Sequence, residues 1–318
     1  MRAVLGVDTS CYTTSAALVD AQSGEILASS RSLLQVAAGE RGLRQSEGLF
    51  QHVKNLPLRI ADVMQGASGV QIAAVCASTR PRPAEESYMP VFRAGEGQAR
   101  AAAALLRVPF YPVSHQEGHV RAATVDSGVD TGRAFLALHL SGGTTELLLH
   151  DAGALTLLGG SLDLHAGQLI DRIGVRLGLP FPAGPALEKL AMRGQAQGRI
   201  GVSMKGLDCN LAGAENKAVR WIETGELPPE DIAAEIFDFV CRTILRQIEA
   251  ASEQARCDQA LLAGGVASST LLKEMLLRRA KKLRLMCRLH FARPELSGDN
   301  AVGVALLGAD ALRAQKEE

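Results

Sequence analysis

The N-terminal part of the chain alternates short apolar runs with polar turns. Apolar residues occupy 3–7, 15–19 and 25–29, and the polar residues 20–24 separate the last two runs. Runs of this length bounded by turn residues are typical of consecutive antiparallel strands. The pattern therefore predicts that the chain opens with three such strands.

Helical and strand patterns then alternate up to residue 123. Residues 46–66 carry apolar positions at helical spacing, whereas 69–78 is a continuous apolar run typical of a buried strand. The remaining predicted elements of this half are a helix at 96–107, a strand at 109–114 and a helix at 115–123 with Ser114 as its N-cap.

The strand–turn–strand unit of the N-terminus is repeated later in the chain. Residues 134–151 follow the pattern of residues 3–20, with Ser141 in the place of Ser10 and Thr145 in the place of Thr14. A third strand, 154–158, follows the second copy as 25–29 follows the first. Such duplication predicts two similar lobes. We expect them at residues 1–128 and 133–298, with a C-terminal helix at 299–315 that joins the first lobe.

The second half is dominated by helical patterns. Its predicted elements are helices at 166–178 and 229–255, a strand at 259–262, a helix that starts at Ser268 or Ser269, and a last helix that starts near Asp299 and Asn300. Strands and helices in this alternation indicate an α/β fold.

The composition narrows the class of protein. The 318 residues are 47% hydrophobic and 21% charged with a formal net charge of zero, which is ordinary for a globular protein. No apolar run is long enough to span a membrane, and Asp8 interrupts the first run too early for a signal peptide. The six cysteines include no Cys-x-x-Cys pair, which argues against a disulfide framework or a zinc finger. We therefore expect a cytoplasmic protein without a membrane partner.

Positive charge is concentrated at residues 278–288. We interpret this cluster as a solvated helix end, because runs of charge usually mark exposed faces. A nucleic-acid contact is the alternative interpretation.

Three glycine- or hydroxyl-rich turns each follow an apolar strand. They are residues 8–10, 141–145 and 263–266. Glycine allows backbone to approach a phosphate closely, and exposed N–H and hydroxyl groups supply neutral donors. A single turn of this kind is usually only a tight turn. Three of them in a duplicated frame favour a nucleotide held between two lobes.

The sharpest local signal is the pair His115 and His119. On a helix, residues i and i+4 share a face, so two imidazoles can bind one metal ion. The motif differs from the HExxH motif of zinc proteases, which has a glutamate directly after the first histidine, whereas here Gln116 follows it. Glu117 lies about 200° round the helix from His115 and points away. The third ligand is expected to be a carboxylate, and Asp299 is the candidate; two structural histidines are the alternative.

These residues and motifs indicate a resemblance to a known protein family. The chain resembles the Gcp/TsaD family of tRNA threonylcarbamoyl-transferases over nearly its whole length. The matching segments are Gly6–Cys11, His115–His119, Leu140–Gly143, Asp163–Arg172, Leu179–Ala191, Ala263–Val266 and Ser297–Ala301.

The resemblance implies an ASKHA (actin-like) fold with two duplicated lobes, each with a mixed five-stranded sheet, around a nucleotide cleft. It implies one divalent metal ion per subunit, iron or zinc, held by His115, His119 and Asp299. It also implies an ATP- or adenylate-type nucleotide, tRNA as the acceptor of the acyl group, and a possible partner subunit of the same fold. The residues expected to bind substrate or nucleotide are Asp8, Ser10, Ser141, Gly142, Gly143, Asp171, Gly184, Glu188, Gly264, Gly265 and Ser269, and Asp171 is expected to accept hydrogen bonds from ribose hydroxyls.

The chain departs from the family pattern at several positions. The two carboxylates that usually follow Cys11 are replaced by Tyr12 and Thr13, and Thr144 stands where the family has histidine. Ser269 replaces an asparagine, and residues 79–86 replace a glycine-rich segment. Three functions therefore stay open: a tRNA-modifying transferase, a nucleotide- and metal-binding paralogue without catalysis, and a carbamoyltransferase with another acceptor. No catalytic residue is assigned, and a protease would lack its catalytic base.

Overall fold

The computed structural model describes residues 1–10, 12–36, 43–67 and 69–317. Up to residue 123 its elements are β1 Arg2–Ser10, β2 Thr13–Asp20, β3 Ile26–Leu33, α1 Gln45–Gly66, β4 Gln71–Arg80, α2 Phe92–Leu106, β5 Phe110–Ser114 and α3 His115–Ala123. The next group is β6 Phe135–Leu140, β7 Thr145–Asp151, β8 Ala154–Gly160, α4 Ala166–Arg176, α5 Gly184–Ala191, β9 Ser203–Lys205 and β10 Asp208–Asn210. The last is α6 Ala212–Thr224, α7 Pro229–Ala255, β11 Gln259–Ala263, α8 Thr270–Leu283, β12 Arg288–Phe291, a 3-10 turn at Pro294–Leu296 and α9 Val302–Glu317.

Two five-stranded mixed sheets share one topology. The first has the strand order β3-β2-β1-β4-β5 and the second the order β12-β11-β6-β7-β8. In each sheet the first three strands of the copy pair antiparallel, and the two later strands join in parallel. The duplication predicted from the sequence pattern and the mixed five-stranded sheets implied by the family resemblance are therefore confirmed.

Contacts divide the chain into two compact units. The first comprises Met1–Ala123 with Gly298–Glu318, and the second comprises Thr124–Ser297. The domain boundaries expected from the sequence stay a prediction.

Helices cover both faces of the first sheet. One face carries the apolar side chains Leu5, Val7 and Val75, which form a core with Leu56 of α1 and Ala99 of α2. The other face meets α9, which contacts β1, β2 and β4. A Cβ atom at Gly6 would lie 2.5 Å from the backbone nitrogen of Ala305, so glycine permits this close approach of α9 to the sheet.

Several predictions about elements need correction. The last helix begins at Val302 rather than near Asp299, because the Asn300 side chain accepts the Val302 N–H at 3.0 Å and caps the helix from outside. The elements α5, β9, β10 and β12 were not predicted, because none exceeds eight residues and so none carries a long periodic pattern. The helix α6 was also missed, although its buried residues Ala214, Ala218 and Trp221 follow helical spacing.

Two compositional predictions are confirmed among the described residues. Cysteines 76, 209, 241, 257 and 287 are free and buried, whereas Cys11 lies outside the described residues. The basic cluster covers the C-terminal end of α8 and the residues after it, and its members are exposed except Arg279, which pairs with Asp238. No helix in the described ranges has both the length and the apolar character needed to cross a bilayer.

Candidate metal centre and pocket

The helix α3 starts directly where strand β5 ends. Ser114 Oγ accepts the Glu117 N–H at 3.2 Å, and Glu117 Oε2 accepts the Ser114 N–H at 2.7 Å. This reciprocal capping box fixes the first turn of the helix and confirms Ser114 as its N-cap. Glu117 is thus engaged in the cap, and its carboxylate is not part of the helix face that carries the two histidines.

Two histidines of α3 and one aspartate converge. One potential ligand atom from each of His115, His119 and Asp299 lies within 4.8 Å of the others. His119 Nε2 is 2.9 Å and His115 Nε2 is 3.6 Å from Asp299 Oδ1. The imidazole rings meet edge to face with centroids 4.3 Å apart. Their side chains are largely buried, with 16%, 10% and 29% of the His115, His119 and Asp299 surfaces exposed.

Close packing of α3 against α9 brings Asp299 to the histidines. A Cβ atom at Gly303 would overlap the Gly118 carbonyl oxygen and lie 2.7 Å from the Ala122 nitrogen. One at Gly118 would lie 2.9 Å from Val304 Cγ2. These two glycines let the helices touch backbone to backbone, which places the residue just before α9 beside the imidazoles.

Asp8 lies beneath this cluster. Its side chain is 0% exposed, and its Oδ1 atom is 3.3 Å from His115 Nδ1. Ser10 Oγ donates a hydrogen bond to Oδ2 at 2.5 Å, and Ser78 Oγ donates one to Oδ1. Both carboxylate oxygens of Asp8 are therefore occupied by groups of the protein.

The ion pair determines the pKa values of its members. Burial alone would raise the pKa of the Asp8 carboxyl, but the charge of His115 and the hydrogen bonds from His115, Ser10 and Ser78 hold that pKa below its ordinary value. Burial alone would lower the pKa of His115, but Asp8 and, more weakly, Asp299 raise it. The carboxylate form of Asp8 is thus the stable one beside the ring.

The donor set suits a divalent metal ion. Two imidazole nitrogens and a carboxylate oxygen are ligands that both Zn²⁺ and Fe²⁺ accept, and a three-residue set leaves positions open for other ligands.

Two further contacts involve residues that surround the candidate ligands. Thr13 Oγ1 donates to Asp299 Oδ2 at 3.4 Å, and the Gln116 N–H donates to the Pro81 carbonyl at 3.0 Å. Thr13 therefore contacts the cluster, and Pro81 contacts the first turn of α3 next to it.

The second unit contains a separate cavity of about 400 Å³. Six residues predicted to bind nucleotide line it: Gly142, Asp171, Gly184, Glu188, Gly265 and Ser269. The sequence did not single out the other lining residues, Gly167, Ile170, Pro182, Pro185, Phe237, Val266 and Ser268. Phe237 lies in the long helix α7, where an apolar residue gives no signal that distinguishes a pocket wall from a core.

Gly167 is one of these residues whose segment does carry a motif signal, as do Ile170, Pro182, Pro185 and Val266. It lies in the segment Asp163–Arg172 that resembles the family. A Cβ atom at this position would lie 2.6 Å from the Gly142 nitrogen, and the Gly167 N–H donates to the Ser141 carbonyl at 3.1 Å. The start of α4 therefore touches the Ser141–Gly143 turn.

The remaining predicted residues take other positions. Ser141 and Gly143 form the turn after β6, where the Gly143 N–H donates to Ser141 Oγ at 3.3 Å. Gly264 has φ +99°, and a Cβ atom there would overlap the Leu140 carbonyl oxygen. Asp8 and Ser10 lie in the first unit, buried below His115. The structure thus groups six of the eleven predicted nucleotide contacts around one cavity.

The polar groups of the cavity are partly committed to the fold. Asp171 Oδ1 accepts the Ala183 N–H and Glu188 Oε1 accepts the Leu271 N–H, both at 2.8 Å. Ser269 Oγ caps α8 by accepting the Leu272 N–H at 3.1 Å. The lining residues, all within the described ranges, include these two carboxylates and no lysine or arginine. The two carboxylates suit donors such as hydroxyls and amines.

Comparison with known proteins adds the identity of the family. The profile described as TsaD, tRNA N6-adenosine threonylcarbamoyltransferase, matches residues 50–306. The chain is a member of the TsaD family. The match starts at residue 50, so the N-terminal strands, with the departures at Tyr12 and Thr13, lie outside the matched range.

Two curated relatives illustrate the membership. The tRNA N6-adenosine threonylcarbamoyltransferase of Methanopyrus kandleri is 31% identical over 291 residues, which cover 90% of this chain and 81% of the relative. A probable bifunctional tRNA threonylcarbamoyladenosine biosynthesis protein of Thermoplasma volcanium is 31% identical over 274 residues, 86% of this chain but 50% of that protein. The chain spans about half the length of the bifunctional relatives that it matches.

Solved structures support the fold expected for the TsaD family. HypF from T. kodakarensis matches with a TM-score of 0.65 at 15% identity, covering 98% of this chain and 48% of that one. The activator of the 2-hydroxyisocaproyl-CoA dehydratase from Clostridium difficile matches with a TM-score of 0.52 at 16% identity. The match covers 99% of this chain and 98% of the activator. Together with the duplicated sheets, these likenesses confirm the ASKHA fold.

Proposed function

We propose that the chain is a metal-dependent acyltransferase that moves a threonylcarbamoyl group from its adenylate to N6 of an adenosine in tRNA. The observation that carries this proposal is the convergence of His115, His119 and Asp299 in a member of the TsaD family. The names of its relatives support tRNA as the acceptor. A partner subunit of the same fold and a cytoplasmic location stay predictions.

The reaction would join the N6 nitrogen to the carbamoyl carbon. The bond from that carbon to the phosphate oxygen breaks, AMP leaves with the electron pair, and N6 loses one proton to water. When bound, a divalent ion such as Zn²⁺ or Fe²⁺ would polarise a carbonyl or phosphoryl oxygen and offset its developing charge. Asp299 and the two Nε2 atoms are the groups of this chain that would hold the ion.

The cavity of the second unit supports a place for the adenosine half of the adenylate. Asp171 Oδ2 and Glu188 Oε2 are not used by the described hydrogen bonds and can accept them from ribose hydroxyls. Phe237, Ile170 and Val266 offer apolar surface to the base.

A second candidate function is transfer of a carbamoyl-type group to a different acceptor. The observation in its favour is the Thr13 hydroxyl beside Asp299, at a position where the family has a carboxylate. Loss of a negative charge next to the metal ligands alters which acceptor the site tolerates, because like charges repel and opposite charges attract over this distance. A paralogue that binds metal and nucleotide without transfer is the third possibility.

The decisive measurement is nucleoside analysis of tRNA from a strain that lacks its own transferase and expresses this chain. We expect threonylcarbamoyladenosine to return with the wild-type chain and to be absent with His119→Ala. His290→Ala, a histidine of β12 outside the cluster, is the matched control and should restore the nucleoside. A well-expressed wild-type chain that leaves the tRNA unmodified contradicts the proposal.

Release of AMP from threonylcarbamoyl-adenylate separates the candidates. If release by the purified chain depends on added tRNA, the first function is supported. If release depends on His119 but not on tRNA, transfer to another acceptor is supported. Binding of the adenylate without release supports the non-catalytic paralogue.

A further inference from the structure

We propose that Asp8 is a positioning residue of the metal centre, which holds the Nδ1 side of His115 so that Nε2 faces Asp299. The inference depends on the proposed metal site but on neither tRNA nor transfer. It also differs from the expectation that Asp8 binds nucleotide, because it gives the carboxylate a partner within the protein.

The two nitrogens of His115 face different groups. Nδ1 lies 3.3 Å from Asp8 Oδ1, and Nε2 lies 3.6 Å from Asp299 Oδ1. A neutral imidazole carries its proton on one nitrogen only. With a carboxylate at Nδ1, the proton resides there as an N–H donor, and the Nε2 lone pair is directed to the ion. Asp8 therefore selects the tautomer that can act as a ligand.

The position of Asp8 is itself fixed. It belongs to β1, the central strand of the first sheet, and is fully buried. Hydrogen bonds from Ser10 and Ser78 occupy both of its oxygens in addition to His115. The carboxylate cannot rotate away without breaking at least one of these bonds, so it presents a rigid acceptor to the ring.

Neighbouring groups restrict the ring further. The Phe92 ring lies 6.1 Å from that of His115 on one side, and His119 contacts it edge to face at 4.3 Å. The ring of His115 is therefore held between an aromatic side chain, a second ligand and a buried carboxylate. Asp8 is the member of this set that distinguishes one ring nitrogen from the other.

Exposure argues against direct contact of Asp8 with a ligand. None of its side-chain surface is exposed, whereas 29% of the Asp299 side chain is. An incoming nucleotide or metal ion would have to displace a serine or His115 to reach the Asp8 oxygens. The geometry thus points to an effect through His115.

The test is metal affinity of the full chain with the substitution Asp8→Asn, which keeps the shape and removes the charge. Apo-protein is titrated with Co²⁺ and Zn²⁺ in competition with a chromophoric chelator, without nucleotide or tRNA. We expect affinity to fall by about 10- to 100-fold, the usual effect of removing such an outer partner, and the visible Co²⁺ spectrum to change. An unchanged affinity and spectrum would overturn the proposal.

Two further variants separate positioning from general destabilisation. Asp8→Glu keeps a carboxylate that can accept the Nδ1 proton, so metal affinity should recover relative to Asp8→Asn. Val75→Ala removes core volume on the face of the first sheet opposite to the one that carries Asp8 and contacts α9. It should lower stability but leave affinity and spectrum unchanged.

Ser78→Ala gives the test a third variant in case Asp8→Asn does not fold. It removes one hydrogen bond from Asp8 Oδ1, the oxygen that faces His115, and leaves every ligand in place. A shifted Co²⁺ spectrum supports the proposal, and a wild-type spectrum and affinity contradict it. Failure of the proposed function is distinguishable from failure of this inference, because the chain would then bind metal normally but leave tRNA unmodified.

Discussion

At the scale of single residues, a motif position can serve the fold rather than the chemistry. Asp163 opens one of the segments that resemble the family, yet its carboxylate accepts N–H groups of Leu164, Leu211 and Ala212 at 2.6, 2.8 and 3.2 Å. These bonds tie the segment before α4 to the start of α6. Burial alone would raise the pKa of Asp163, but the backbone N–H groups outweigh it and hold the pKa below the ordinary 3.8.

Asp163→Asn should therefore destabilise the chain by about 1 kcal/mol at neutral pH, a modest value because the side chain is exposed and screened. A lowered folded-state pKa means that the contribution is present above the ordinary value of 3.8 and is lost as pH falls through the folded-state pKa. Urea denaturation should show a constant difference in unfolding free energy between wild type and Asp163→Asn from pH 7 down to about 3.8. Below that pH the difference should become smaller. Asp151→Asn, an exposed aspartate at the end of β7, is the control. A difference that widens in acid contradicts the assignment.

At the scale of elements, the geometry of the candidate metal centre depends on how closely α3 and α9 approach. The Gly303 position lies against the Gly118 carbonyl and the Ala122 nitrogen. Gly303→Ala should force the helices apart, at a cost of about 1–3 kcal/mol for overpacking. Because Asp299 precedes α9 and His119 lies on α3, Co²⁺ affinity should fall as well.

Gly97→Ala controls for the general effect of alanine in a helix. Gly97 lies within α2 of the same unit, and a Cβ atom there meets nothing within 4 Å. This variant should gain up to about 1 kcal/mol in unfolding free energy and bind Co²⁺ normally. Unchanged Co²⁺ affinity in Gly303→Ala would show that the metal site does not depend on the close contact between α3 and α9.

The same elements show what the sequence could and could not predict. The i, i+4 spacing of His115 and His119 and the N-cap Ser114 are local patterns, and both are confirmed as parts of α3. The role of Gly303 depends on a contact with Gly118, and that of Asp8 on the pairing of β1 with β4. Both contacts join residues far apart in the chain, which local periodicity does not report.

At the scale of the whole molecule, two sites are built from separate parts of the chain. The candidate metal ligands belong to the unit that comprises Met1–Ala123 and Gly298–Glu318. The residues that line the 400 Å³ cavity all belong to Thr124–Ser297. Each site therefore draws its side chains from one unit, which makes the two binding reactions separable by mutation.

AMP binding to the full chain, measured by calorimetry, tests this separation. AMP carries the adenosine that we assign to the cavity, so its affinity should fall about 10- to 100-fold in Asp171→Asn, where a ribose hydroxyl loses a charged acceptor worth about 1.5–3 kcal/mol. His119→Ala or chelation of the metal should leave AMP affinity unchanged, because no lining residue of the cavity is a candidate metal ligand. Equal loss of AMP binding in both variants would mean that the nucleotide needs the metal centre. An unaffected Asp171→Asn would mean that the adenosine binds elsewhere.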